Sequence, residues 1–86
     1  MAQTWLGVMY NLGLGVDQDY KAAAKWYRKA ADQGDPLGQL RIARLFSQSE
    51  GVSKNIKEAE KWYLRSASYY GDYAYAKKMI KEMYAD

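Results

Sequence analysis

Glu58 and Glu60 are the nearest approach to a carboxylate pair in this chain, and their spacing argues against joint chemistry. A general acid and a general base must converge on one reacting centre. Residues two apart on a helix project to different faces. Asp17 and Asp19 begin like a calcium loop, but no third oxygen ligand, central glycine or distal glutamate follows in register. Asp19 reads instead as a helix N-cap. Gly13-Leu14-Gly15 lacks the preceding strand, the third glycine and the Gly-Lys-Ser/Thr ending of a phosphate loop. It recurs as Ser49-Glu50-Gly51, which a cofactor motif has no reason to do, and is read as a turn. Cysteine and histidine are absent, which removes disulfides, thiolate and imidazole ligands and every Cys- or His-dependent mechanism. No catalytic, cofactor-binding or metal-ligating residue is assigned. The expectation is a protein that is not an enzyme and carries no cofactor.

Two aromatic pairs, Trp26-Tyr27 and Trp62-Tyr63, could stack on bases or sugars. The net charge of +3 is mild, with acids interspersed among the Lys and Arg residues. Nucleic-acid binders usually gather positive charge on one face or arm. No nucleic acid is expected as a partner. No apolar run reaches membrane-spanning length, and the N-terminus lacks a basic-then-apolar signal pattern, so no membrane partner is expected. The compartment stays open: cytoplasmic, or periplasmic or secreted if a leader was removed.

The elements that position these residues emerge from self-comparison. Shifted by 36 positions, Gly15-Val16 falls on Gly51-Val52, Ala23 on Ala59, Lys25-Trp26-Tyr27 on Lys61-Trp62-Tyr63 and Ala31 on Ala67. Leu6, Gly7, Met9 and Tyr10 meet Ile42, Ala43, Leu45 and Phe46. The tryptophan–tyrosine pairs therefore belong to the repeat, and packing between helices explains them. A partial third copy follows, with Gly34-Asp35 echoed by Gly71-Asp72 and Met9-Tyr10 by Met83-Tyr84. The chain divides into unit one at about 2–35, unit two at about 36–71 and a partial unit at about 72–86, one repeat domain over 1–86 or a fragment of a longer array. An 86-residue chain without disulfides or metal must draw its stability from regular packing.

Each unit reads as two helices. Leu6, Met9-Tyr10 and Ile42, Leu45-Phe46 recur at three- and four-residue steps, as do Tyr20, Ala23, Tyr27, Ala30-Ala31 and Ile56, Ala59, Tyr63, Ala67. Asp19 and Asn55 are expected N-caps, and Asn55-x-x-Glu58 resembles a capping box. Gly34 and Gly71 supply left-handed stops, Asp35-Pro36 is an N-cap before a first-turn proline, and Asp72 caps the last helix. Helices are placed near 2–12, 19–33, 36–48, 55–69 and 73–85, with no strand.

These residues resemble the Sel-one-like repeat, a relative of the tetratricopeptide repeat. Leu6-Gly7, Tyr10, Gly13-Leu14-Gly15-Val16, Asp19-Tyr20, Ala23, Trp26-Tyr27 and Lys29-Ala30-Ala31 with Gly34 look like that family's signature. Unit two departs from it at Ser49 and Ser66 and by extra residues around Tyr70 to Ala74. The resemblance implies an all-α, right-handed α/α superhelix: two helical hairpins plus a C-terminal capping helix. It also implies an adaptor or scaffold that binds protein or peptide, of a kind widespread in bacteria and in eukaryotic quality-control complexes, with no shared catalytic centre.

In stacked hairpins the first helices line the concave side. The core there uses Leu6, Gly7 and Tyr10, and the adjoining stripe is Thr4, Val8 and Asn11. One unit on it becomes Leu40, Arg44 and Ser47, and in the last helix Lys78, Glu82 and Ala85. The stripe shares no identity between copies, so it is the candidate partner-binding groove. Arg44 leads because a central arginine can grip a peptide carboxylate. Trp5, whose equivalent is Arg41, forms a candidate contact patch with Tyr73 and Tyr75 of the dense Tyr69–Tyr75 stretch. The alternative is a structural segment that docks its N-terminal helix on another repeat or on a second copy of itself.

Overall fold

A computed structural model describes residues 2–48 and 55–85. Among them the chain is wholly helical: α1 Ala2–Leu12, α2 Tyr20–Asp32, α3 Pro36–Gln48, α4 Ile56–Tyr70 and α5 Tyr73–Tyr84. Each helix packs chiefly on its neighbours in sequence, giving an antiparallel array of 34 × 27 × 17 Å.

The termini follow from the capping chemistry. The Asp19 carboxylate accepts from the Ala22 amide at 3.1 Å and the Asn55 side chain from the Glu58 amide at 3.1 Å. Asp72 accepts from the Tyr75 amide at 3.0 Å. Gly34 and Gly71 adopt φ of 90° and 72°, the left-handed conformation that stops α2 and α4. The capping box at Asn55 is only half formed. Glu58 turns outward to accept from the Trp62 indole N–H at 3.2 Å and from Lys61 at 3.4 Å.

One backbone bond closes each hairpin. The Asp19 N–H donates to the Tyr10 carbonyl at 2.9 Å, and the Asn55 N–H donates to the Phe46 carbonyl at 3.3 Å. Donor and acceptor are both displaced by the same 36 residues. The repeat read from side chains thus recurs in the backbone.

The core runs through the array as Tyr27, Ile42, Leu45, Trp62, Tyr63 and Met83, with Ala23, Ala31, Ala43, Ala59, Ala67 and Ala76 between them. Small residues set the helix spacing. A Cβ at Gly38 would lie 2.8 Å from the Ala30 Cβ and 3.1 Å from the Ala31 backbone nitrogen, so α3 crosses α2 almost backbone to backbone. Several expected core residues are less covered: Leu6 is half-buried where its copy Ile42 is buried, Met9, Tyr10, Phe46 and Ile56 are half-buried too, and Tyr20 is exposed. Among the described residues α1 packs chiefly on α2, whereas α3 packs on both α2 and α4.

Three polar contacts tie the layers. Buried Asp35 caps α3 by accepting from the Leu37 amide at 3.2 Å, and its other oxygen accepts from the Thr4 hydroxyl across to α1. Ser66, which stands where unit one has Ala30, donates to the Pro36 carbonyl at 3.1 Å. The Tyr84 hydroxyl donates to Glu60 at 2.9 Å, tying α5 to α4.

Candidate interaction groove

The open side of α3 presents Leu37, Arg41, Arg44 and Gln48 at four- and three-residue steps, and α1 presents Trp5, Val8 and Leu12 at the matching places. Of the expected stripe, Val8 and Arg44 fall on this open side and Thr4 does not. Thr4 is the clearest correction: it is 2% exposed and committed to Asp35, so it faces the layer beneath and not a partner. A helix turns about 100° per residue, so moving from position 4 to 5 carries a side chain from core to solvent. Arg41 is the functional candidate that the expected stripe omitted. The signal was its three-residue step to Arg44.

Two hollows are bordered by α3, and Arg44 lines the first of them. The first, of about 240 Å³, is lined by Asn11, Gln18, Tyr27, Arg41, Arg44 and Gln48, with Leu12, Tyr20 and Leu45. It is polar and basic. The second, of about 410 Å³, is lined mainly by Leu40, Tyr63, Tyr70, Tyr75, Ala67 and Ala76, with Ser66 and Asp72 at its wall. It is apolar and aromatic.

The tyrosines at the floor explain how the hollows recur. Tyr27 and Tyr63 occupy the same repeat position on α2 and α4, both are buried, and neither hydroxyl makes a hydrogen bond among the described residues. A Cβ at Gly7 would stand 2.4 Å from two carbons of the Tyr27 ring. That ring therefore crosses beneath α1 through the gap left by a missing side chain. Its hydroxyl lies beside Asn11, without meeting hydrogen-bond geometry, and near Arg41 and Arg44. The Tyr63 hydroxyl lies beside Ser47 and near Arg44, Tyr75 and Glu82, while Ser47 itself donates to the Arg44 carbonyl at 2.8 Å. Asn11, Arg44, Ser47, Tyr75 and Glu82 are thus brought to one polar track. Leu40 joins it through the apolar hollow, and Val8 borders a third hollow of about 260 Å³ with Thr4, Trp5, Leu37 and Arg41. Lys78 and Tyr73 are exposed on α5 and line none of these hollows, and Trp5 is 59% exposed.

Burial raises the ionisation of both floor tyrosines above its ordinary value; Arg41, Asn11 and Arg44 partly oppose this at Tyr27, and Ser47 and Arg44 do so at Tyr63. An acid whose folded pKa is raised costs no stability while both states hold the proton, below about pH 10. Above that the unfolded chain ionises first, and stability falls as pH rises through the folded value. Urea midpoints should therefore drop on the alkaline side of about pH 10. The drop should be shallower in Tyr27→Phe and Tyr63→Phe than in the parent chain. Equal alkaline slopes in all three proteins would contradict this.

Among the described residues no three His, Cys, Asp or Glu side chains group to hold a metal, and no helix is long and apolar enough to cross a membrane.

Tandem hairpins clasped at one pitch, with small residues at the crossings and a groove along the first helices, define an α/α solenoid of the right-handed superhelical type. The Sel1 repeat model matches residues 1–35 and again 36–68, and the chain belongs to that family. A crystal structure of a Sel1 repeat protein from Oxalobacter formigenes superposes with a TM-score of 0.76 at 40% identity, over 78% of this chain and 27% of that one. The chain thus spans about a quarter of the length of that solved relative. A search of curated proteins finds no match. Sel1 repeats are a non-catalytic scaffold type that generally mediates protein–protein interaction.

Proposed function

We propose that this chain holds a peptide or protein segment along the groove formed by Val8, Asn11, Leu40, Arg44, Ser47 and Glu82, with Arg41 and Tyr75 contributing. The observation that carries this reading is the pair of unlike hollows that α3 borders, one basic and lined by Arg41 and Arg44, the other apolar and lined by Leu40. A segment lying across α3 would put a polar side chain in one and an apolar side chain in the other, which fixes direction and register together. Tyrosine and arginine at such a centre supply area and directed donors at low entropic cost. Lys78 lies further along α5, where only a longer segment would meet it.

The Arg44→Glu substitution tests the groove. Arg44 is exposed, so the change leaves helicity intact, yet it reverses the charge on the wall of the basic hollow. Peptides selected from a random library on the parent chain should bind the variant at least about tenfold more weakly by fluorescence anisotropy. Equal affinity for every selected peptide, with unchanged circular dichroism, removes the groove.

Trp5 supports a second reading, self-association through the N-terminal helix. It is 59% exposed and borders a hollow with Val8 and Leu37. Sedimentation at millimolar concentration decides it: a chain that stays monomeric, or a Trp5→Ser variant that dimerises as well as the parent, ends this reading.

A further inference from the structure

We infer that the basic hollow beside Arg44 is a carboxylate-binding site, built from the guanidinium groups of Arg41 and Arg44 over the Tyr27 hydroxyl. The inference rests on the groove reading and deepens it by naming the chemistry of the group received there. Its starting point is an excess of donors. The Tyr27 side chain is 0% exposed, yet among the described residues its hydroxyl has no hydrogen-bond partner, and the buried Arg41 Nε has none either. Leaving a buried donor unpaired forfeits the hydrogen bond it made to water in the unfolded chain. Two such donors at one hollow are therefore a standing demand for an acceptor.

No acceptor among the described lining residues reaches either group in hydrogen-bond geometry. No Asp or Glu is among its described lining residues, and the side-chain acceptors there, on Asn11, Gln18, Tyr20 and Gln48, are all neutral. Two arginines three residues apart on α3 place two positive charges on one wall, with no compensating charge among the described lining residues. The missing partner is therefore an anion that accepts hydrogen bonds.

The form of the site favours a carboxylate over a phosphoryl group. Phosphate sites commonly recruit free backbone amides at a helix start. Arg41 and Arg44 stand in the interior of α3, where the amides are consumed by the helix, so only side chains donate. Planar guanidinium groups match the two oxygens of a carboxylate. A hollow of about 240 Å³ has room for one such group and its stem. The acceptor comes from the partner segment, either as an Asp or Glu side chain or as a C-terminal carboxylate.

Titration of isotopically labelled protein, followed by NMR at the arginine Nε–H signals, tests this with four probes. N-acetylglutamate α-amide offers a side-chain carboxylate, N-acetylglycine a main-chain one, N-acetylglutamine amide neither, and inorganic phosphate the rival anion. Saturable shifts at Arg41 and Arg44 are expected with at least one carboxylate probe, and which probe binds tells the two sources apart. The neutral amide should do nothing. Arg41→Gln should weaken the carboxylate by about tenfold or more and Tyr27→Phe by a smaller factor. Lys57→Gln, on a different surface, should leave it unchanged. Shifts that rise linearly and equally at the lysines, or phosphate saturating at lower concentration than either carboxylate, overturn the proposal. Selected peptides that bind the groove of Arg41→Gln at parental affinity retire the carboxylate site and spare the groove. Saturation by the small probes in a chain whose groove holds no peptide does the reverse.

Discussion

The Trp62→Ala variant loses about 3–5 kcal/mol of stability, read as a lowered urea midpoint. Trp62 is 1% exposed and sits in the core between the two hairpins. Its indole is enclosed by cations: Arg28 of α2 at 5.7 Å from the ring centroid, with Lys61 and Arg65 of α4 at 4.9 and 5.0 Å. Removing the ring opens a cavity, frees Glu58 of its indole donor and strips the Arg28 contact that joins unit one to unit two. A domain of about 86 residues holds roughly 4–13 kcal/mol in all, so the variant is expected to be partly unfolded at 37 °C. Trp26→Ala should cost less. Trp26 is half-buried and carries Lys29 at 4.8 Å and Lys25 at 5.9 Å, both from its own helix. Equal losses at the two tryptophans would contradict the account of Trp62 as the joint between units.

The second large effect is at Gly7. Alanine is a better helix former than glycine by about 1 kcal/mol, so on propensity alone Gly7→Ala should stabilise α1. Packing reverses the sign. The added Cβ would meet two Tyr27 ring carbons at 2.4 Å, and a fully buried ring cannot swing aside as the end of a lysine could. Overpacking of this kind costs about 1–3 kcal/mol, and the net result is a loss. A double-mutant cycle isolates the cause. In a Tyr27→Leu background, where the ring is gone, Gly7→Ala should become neutral or stabilising. An unchanged penalty in that background would show that the clash lies elsewhere.

Much of this architecture is legible in the residues. A pitch of 36 is carried by side chains the packing demands, and the caps are short polar residues whose chemistry is local, so Asp19, Asn55 and Asp72 can be assigned without a structure. The phase of the groove is harder to read. Periodicity marks an apolar face more than 100° wide, and at its edges a threonine or an arginine fits either side. Thr4 falls inward because Asp35, 31 residues away, needs a donor. Arg41 falls outward because α3 must turn Gly38 toward α2. Neither constraint is local, so neither can be seen in a window of one helix. The floor tyrosines were half visible. Their recurrence marks them as core, but only the crossing at Gly7 shows the Tyr27 hydroxyl emerging beside Arg41 and Arg44.

The backbone bonds from Asp19 to Tyr10 and from Asn55 to Phe46 also bear on how quickly the native state is reached. Each closes a short loop within its own hairpin, and helices pack mainly on their immediate successors. Chains whose contacts lie this near in sequence surrender little entropy before the first contact forms, and such topologies fold in microseconds to milliseconds. A hairpin that has zipped shut then offers its exposed flank as a template for the next, so ordering spreads along the array from any starting point.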